Sequence, residues 1–142
     1  MKKIIIMSIG LSIILWASFS RSRTSSCIVT DSITKLQWQD DTIGTRTTWQ
    51  GAIDRCEALI LGGYSDWRLP TRKELLSIVD DTKFNPSIYS TFVNTSTLNF
   101  YWSSTTTTNN SSNAWHIFFY YGGTNFYYKT NTNYVRCVRA GQ

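Results

Sequence analysis

The chain has 142 residues, with 14 Lys and Arg against 9 Asp and Glu and a net charge of +5. Charged residues are only 16 % of it, below the ~25 % of ordinary soluble domains, while aromatics reach 15 %. Its length gives room for one domain, and its composition excludes charge-driven disorder and collagen-like or low-complexity architectures. Polarity comes from Ser, Thr and Asn, which suits an extracellular β-rich binding module better than a cytosolic enzyme.

Lys2 and Lys3 precede the apolar run Ile4 to Trp16, and Ala17-Ser18-Phe19-Ser20 follows. This is the layout of a secretory signal peptide over residues 1–20, cut after Ser20; the run is shorter than the ~20 residues that span a bilayer. Loss of Lys2 and Lys3 lowers the net charge from +5 to +3, so no nucleic-acid partner is expected. The expected location is secreted, periplasmic or on a bacterial cell surface. Export permits disulfides, and Cys56–Cys137 is the favoured pair because both cysteines lie in strongly patterned segments. Cys27 is then a free thiol, an intermolecular bridge or a lipid attachment point, although Thr24-Ser25-Ser26 lacks the apolar residue of a lipobox.

Residues 21–27 read as a polar, flexible lead-in to a domain over residues 28–142. Ile28 to Trp38 alternates about an Asp31-Ser32 turn and predicts a β-hairpin. Thr47 or Thr48 caps a helix with Trp49, Ala52, Ile53, Cys56, Leu59 and Ile60 on one face and Gly62-Gly63 as its left-handed stop. Cys56 falls on the buried face. Thr71 and Glu74 predict a capping box opening a second helix, with Pro70 just before it, Leu75, Leu76, Ile78 and Val79 on its apolar side, and Asp80-Asp81 at its end. Phe84 to Asn99 reads as an irregular loop. Strands follow over Phe100 to Ser104, Trp115 to Tyr121 and Asn125 to Lys129, with a polar loop from Thr105 to Asn113 and a turn at Gly122-Gly123. Tyr134 to Arg139 alternates cleanly and predicts a central strand.

Four motifs in this order, Asp31 to Trp38, Gly63 to Leu75, Tyr101-Trp102-Ser103-Ser104 and Tyr134 to Arg139, resemble the bacterial DUF1566 family, the Legionella collagen-like protein C-terminal domain. The resemblance covers about Ile28 to Ala140. It implies an α+β, C-type lectin-like fold of two helices with a twisted antiparallel sheet. It also implies exported or surface proteins, some of which bind host glycosaminoglycans as homotrimers; the collagen-like stalk of the name-giving member is absent here. Arg68-Leu69-Pro70-Thr71 also resembles the start of the formylglycine-generating enzyme motif. Thr105 to Asn133, rich in Asn, Ser, Thr and Tyr, also resembles the variable region of retroelement-diversified lectin-like proteins, with ordinary surface drift as the other reading.

Asp66, Arg68 and Glu74 invite a catalytic reading, but a structural one is stronger. Glu74 caps a helix with Thr71, Arg68 pairs with a carboxylate or carbonyls, and Trp67 and Leu69 pack inward beside Pro70. His116 is the only histidine, and alternation after Trp115 turns it toward solvent. A general base needs an orienting partner and a zinc site needs several ligands. No Asp or Glu follows Asp81, which disfavours the oxygen-rich site of a calcium-dependent lectin; Asp40-Asp41 and Asp80-Asp81 read as solvated turns. The expectation is therefore no catalysis, no metal and no cofactor.

The aromatic runs Phe118-Phe119-Tyr120-Tyr121 and Phe126-Tyr127-Tyr128 cannot all be buried by alternation. Trp115, His116, Phe118, Tyr120, Asn125, Tyr127, Lys129, Asn131 and Asn133 are the expected ligand surface, for a glycan or a cell-surface protein. A core or oligomer face is the alternative. Lys83, Lys129, Arg136 and Arg139 are the only charges after Thr82. Without a counter-charge they would attract anionic glycans; a solvated scatter of cations is the other reading.

Overall fold

The computed structural model describes residues 21–142; the signal peptide expected over residues 1–20 lies outside the described residues. Two antiparallel sheets and two helices make an α+β fold. Strands β1 (Arg21–Arg23), β2 (Ile28–Asp31) and β3 (Leu36–Gln39) pair in sequence, and β7 (Val138–Ala140) returns to pair with β3. Helices α1 (Trp49–Glu57) and α2 (Arg72–Ser77) follow, and then β4 (Tyr101–Thr106), β5 (Asn113–Phe118) and β6 (Gly123–Tyr128) form the second sheet in that order.

Local chemistry explains the elements that match expectation. The β2–β3 hairpin turns where the Asp31 carboxylate accepts the Ile33 N–H at 2.9 Å, an Asx-type turn. Thr48 is the N-cap of α1, its hydroxyl accepting from Gly51 N–H. Thr71 and Glu74 form the reciprocal capping box of α2. Cys56, on the buried side of α1, is bonded to Cys137 across 81 residues of chain, and Cys27 is free. One core gathers Trp38, Leu75, Ile78, Tyr101, Ile117 and Phe119; another gathers Ala52, Trp67, Leu69, Trp102 and the disulfide.

Other expectations are corrected. The lead-in over residues 21–27 begins as strand β1, not as flexible chain. Its Arg21 is buried, with the guanidinium on Asp31 at 3.1 Å and over the Tyr89 ring at 3.9 Å. The expected sheet is two sheets. Helix α1 stops at Glu57: the Ala58 N–H still reaches Asp54 O, but the next N–H, of Leu59, turns to Cys56 O three residues back at 3.1 Å. Gly62 and Gly63 do adopt positive φ, but in the turn that bridges Leu61 to Tyr64. Helix α2 ends at Ser77 rather than at Asp80-Asp81. The expected central strand over Tyr134 to Arg139 shrinks to β7 at one side of its sheet. Upstream of it the backbone is divided among partners: Tyr134 N–H donates to Phe100 O, and Val138 exchanges hydrogen bonds with Arg68.

The acids and cations are corrected too. Asp40 is wholly buried rather than part of a solvated turn. It receives the guanidinium of Arg136 at 2.7 Å, that of Arg23, and the backbone N–H of Val93 at 2.9 Å. Arg139 is buried on Asp66 at 2.6 Å, and Lys83 pairs with Asp80 at 3.5 Å. Arg136, Arg139 and Lys83 therefore have counter-charges, supplied mostly from the N-terminal half.

Candidate ligand-binding cleft

Strands β5 and β6 set the floor. Period-two alternation puts Ala114, His116 and Phe118 on one face of β5, and the register places Tyr127, Asn125 and Gly123 opposite them. After β6 the chain turns back, with the Asn131 N–H bonded to Tyr128 O at 2.9 Å, so Asn131, Thr132 and Asn133 form one wall. Asn133 pairs with Thr47 through reciprocal backbone bonds of 2.9 and 3.0 Å, which brings Arg46 to the rim. Asn99 and Phe100, entering β4, supply the remaining wall. These residues enclose a cleft of about 330 Å³.

The charge pattern is simple. No carboxylate lines the cleft, and Arg46 is its one ionic group. Among the described residues Arg46 makes no salt bridge. Tyr127 is 52 % exposed.

His116 contradicts its expected exposure: only 3 % of it is accessible. Phe100 stacks on its ring at 3.9 Å and 13°, which is why strand alternation alone misplaced it. The Asn133 amide donates to His116 Nδ1 at 3.1 Å. With the Asn133 amide in this orientation its nitrogen donates and Nδ1 accepts, which assigns the proton of the neutral ring to Nε2. Nε2 is buried without a partner among the described residues. Burial pushes the imidazole pKa down from 6.5 to about 4. The ring is thus neutral near pH 7, a rigid support for Phe100 and Asn133 rather than a cation or a base.

Of the nine residues expected at the ligand surface, the cleft brings together His116, Asn125, Tyr127, Asn131 and Asn133. Phe118 lies beyond it at the end of β5, and Tyr120 in the turn between β5 and β6. Trp115 is on the opposite face, under the Arg72 guanidinium at 3.7 Å and beside Phe126 at 5.3 Å. Lys129 lies over the Trp49 ring at 3.9 Å. Sequence reasoning missed Arg46, Asn99, Phe100 and Thr132. Only the Arg46 charge was a readable signal, and it lies in a loop far from the aromatic runs.

The Asp66-to-Glu74 motif holds the scaffold. Arg68 grips Glu74 with two bonds of 2.7 and 2.8 Å, and Glu74 also accepts the Thr71 N–H at 2.8 Å. Trp67, Leu69 and Pro70 are buried, and Pro70 O accepts from Ser104 N–H at 2.7 Å. Burial works to raise the Glu74 carboxyl, but the bonds from Arg68 and Thr71 together hold it below its usual range, and the bond from Arg139 lowers Asp66. Among the described residues no cluster of three or more His, Cys, Asp or Glu could hold a metal ion.

Fold and cleft together define a disulfide-bonded α+β domain with a carboxylate-free, ring-lined recess. The chain belongs to the Lcl C-terminal domain family, formerly DUF1566, whose model matches residues 27–139. This is a domain of Legionella collagen-like proteins and not a known catalytic family. No curated protein matches the sequence. The disulfide fits an oxidising, extracytoplasmic compartment, and among the described residues no helix is long and apolar enough to cross a membrane.

Proposed function

We propose that this chain is a non-catalytic recognition domain that binds carbohydrate in the cleft bounded by Arg46, Phe100 and Tyr127. The observation that carries the reading is the lining itself. An open tyrosine ring, side-chain amides, a threonine hydroxyl and one unpaired guanidinium surround a recess without any carboxylate. Rings stack on the flat faces of sugars, amides hydrogen-bond hydroxyls in either direction, and Arg46 accommodates an acidic substituent. A neutral His116 with no orienting carboxylate gives no acid–base pair. The domain would act at the bacterial surface or outside the cell, in a C-type lectin-like arrangement that dispenses with calcium.

A glycan array probed with the disulfide-bonded chain tests this directly. Tyr127→Ala and Arg46→Ala are each expected to weaken captured signals by about tenfold, because centrally placed Tyr and Arg side chains carry much of such interfaces. Both side chains are exposed, so melting temperatures should stay close to the parent. Unchanged binding in both variants would reject the cleft as the site.

A further inference from the structure

The polar atoms of the cleft are not evenly split between donors and acceptors. Asn99 Oδ1 accepts the Phe100 N–H at 2.8 Å, and Asn125 Oδ1 accepts the Phe126 N–H at 2.8 Å. Each bond fixes its amide with the oxygen toward the chain, so the amino group, which can only donate, is the end left over. Arg46 adds an exposed guanidinium, again donors only. The acceptors are neutral and fewer. Asn133 spends its amide nitrogen on His116 and keeps an oxygen, but only 4 % of the residue is accessible.

Chain order accounts for this bias. Apart from Arg46, every lining residue comes after Asp81, the last acid of the sequence. A lone cation is thereby set among amides, with no acidic side chain in the lining to neutralise it. Two further cations approach the same loop but lie outside the lining. Arg55 donates to Thr45 O and, at 3.3 Å, to the Thr45 hydroxyl, and Lys129 sits over the Trp49 ring at 3.9 Å.

Resting on the carbohydrate reading of the cleft, we propose that its ligand is a sugar acid, a uronic or sialic acid unit, whose single carboxylate pairs with Arg46 while the Asn99 and Asn125 amino groups donate to the oxygens around it. A carboxylate only accepts, so it is the complement of a donor-rich lining, and its two oxygens match the fork of a guanidinium. No acidic side chain in the lining repels it. A neutral sugar presents hydroxyls that want acceptors as well as donors, and it draws nothing from the charge of Arg46. A sulfated chain brings several negative charges to a lining that holds one cation. The cleft, at about 330 Å³, is at the small end of the ~300–1,000 Å³ of small-molecule sites, which suits one sugar unit better than a polymer.

The test is NMR titration of the disulfide-bonded chain with methyl glucuronide and sialyllactose, each beside its neutral counterpart, methyl glucoside and lactose. Propionate and a sulfated heparin hexasaccharide serve as rival probes. Each sugar acid is expected to bind about tenfold more tightly than its neutral counterpart, one charge-assisted contact's worth. Arg46→Gln should erase that preference. Asn125→Asp keeps an oxygen for the Phe126 N–H but turns the free donor into a negative oxygen, so it should erase the preference too. Both side chains are exposed, so both variants should fold. A preference that survives both substitutions overturns the proposal. Equal affinity for acid and neutral forms, weakened by Tyr127→Ala, overturns the acidic assignment and leaves the cleft reading standing. Propionate binding as tightly as the sugar acids overturns the carbohydrate reading, and preferential capture of the heparin fragment overturns the single carboxylate. Absence of binding by every probe overturns both readings.

Discussion

In and beside the sheet β1-β2-β3-β7, charge is paired and much of it buried: Arg21 on Asp31, Arg136 and the partly exposed Arg23 on Asp40, and the buried Arg139 on the exposed Asp66 with its guanidinium also over the Tyr64 ring at 3.6 Å. In the sheet β4-β5-β6 the strands contain no ionic side chain. Polarity there is supplied by Thr, Ser and Asn, and Phe126, Tyr127 and Tyr128 remain open to solvent on the outermost strand. The difference is physical. A buried ion pair fixes one arrangement, because breaking it strands a charge. Uncharged hydroxyls and amides are well solvated in water and can be buried against a ligand that hydrogen-bonds them, and an exposed ring gains when a ligand covers it. One region therefore holds the fold, and the other is free to be a surface.

The sharpest way to break this comparison is to cut the scaffold. Removing the disulfide with Cys56→Ala and Cys137→Ala opens an 81-residue loop, which chain entropy sets at about 4–5 kcal/mol of lost stability. Urea unfolding of the double variant reads it. Asp40→Ala leaves Arg136, only 2 % exposed at its side chain, without its counter-ion. The expected cost is about 3–5 kcal/mol, and a loss below 1 kcal/mol by the same measurement would show that Asp40 is not the anchor described.

Sequence reading was most successful where structure is local. The Asp31 turn, the Thr48 cap and the Thr71–Glu74 box each involve residues within a few positions, and each is present. The disulfide pair was legible because both cysteines carried element patterning. Counter-charges were not legible, since Asp40 and Arg136 are 96 positions apart and nothing in either neighbourhood announces the other. The faces of the aromatic strands were only half legible. In Phe118 to Tyr121 apolar residues do not alternate, so period two could not decide that Phe119 is wholly buried while Tyr121 is open. Strand register brings His116, Asn125 and Tyr127 together, and the turn after β6 adds Asn131 and Asn133. The other wall of the cleft depended on Arg46 and Asn99 arriving through loops, which carry no periodic signal.

His116 lies where the two regions meet, and acid probes that boundary. Its imidazole has a folded pKa of about 4 against an ordinary 6.5. The unfolded chain therefore binds the extra proton first as pH falls through this window. The contribution of neutral His116 is complete above 6.5 and is lost progressively toward 4, reaching about 2 kcal/mol by roughly pH 5. Below that the lowered carboxyls of Glu74, Asp66 and Asp80 add losses in the same direction. His116→Phe should flatten the stability profile between pH 6.5 and roughly 5 while keeping the steeper fall below it. A slope that survives this change in urea melts would place the titrating group elsewhere.

The smallest effect is expected at the open strand. Phe126→Ser and Tyr128→Ser each remove an exposed ring that no core residue needs, so stability should change by no more than about 0.5 kcal/mol. Phe126 still touches Trp115, so of the two it should show the larger loss. Thermal melts of both variants, set beside Asp40→Ala, measure how far the two sheets differ. A loss at Tyr128 approaching that at Asp40 would mean that the outer strand helps hold the fold, and that its rings are not free for recognition.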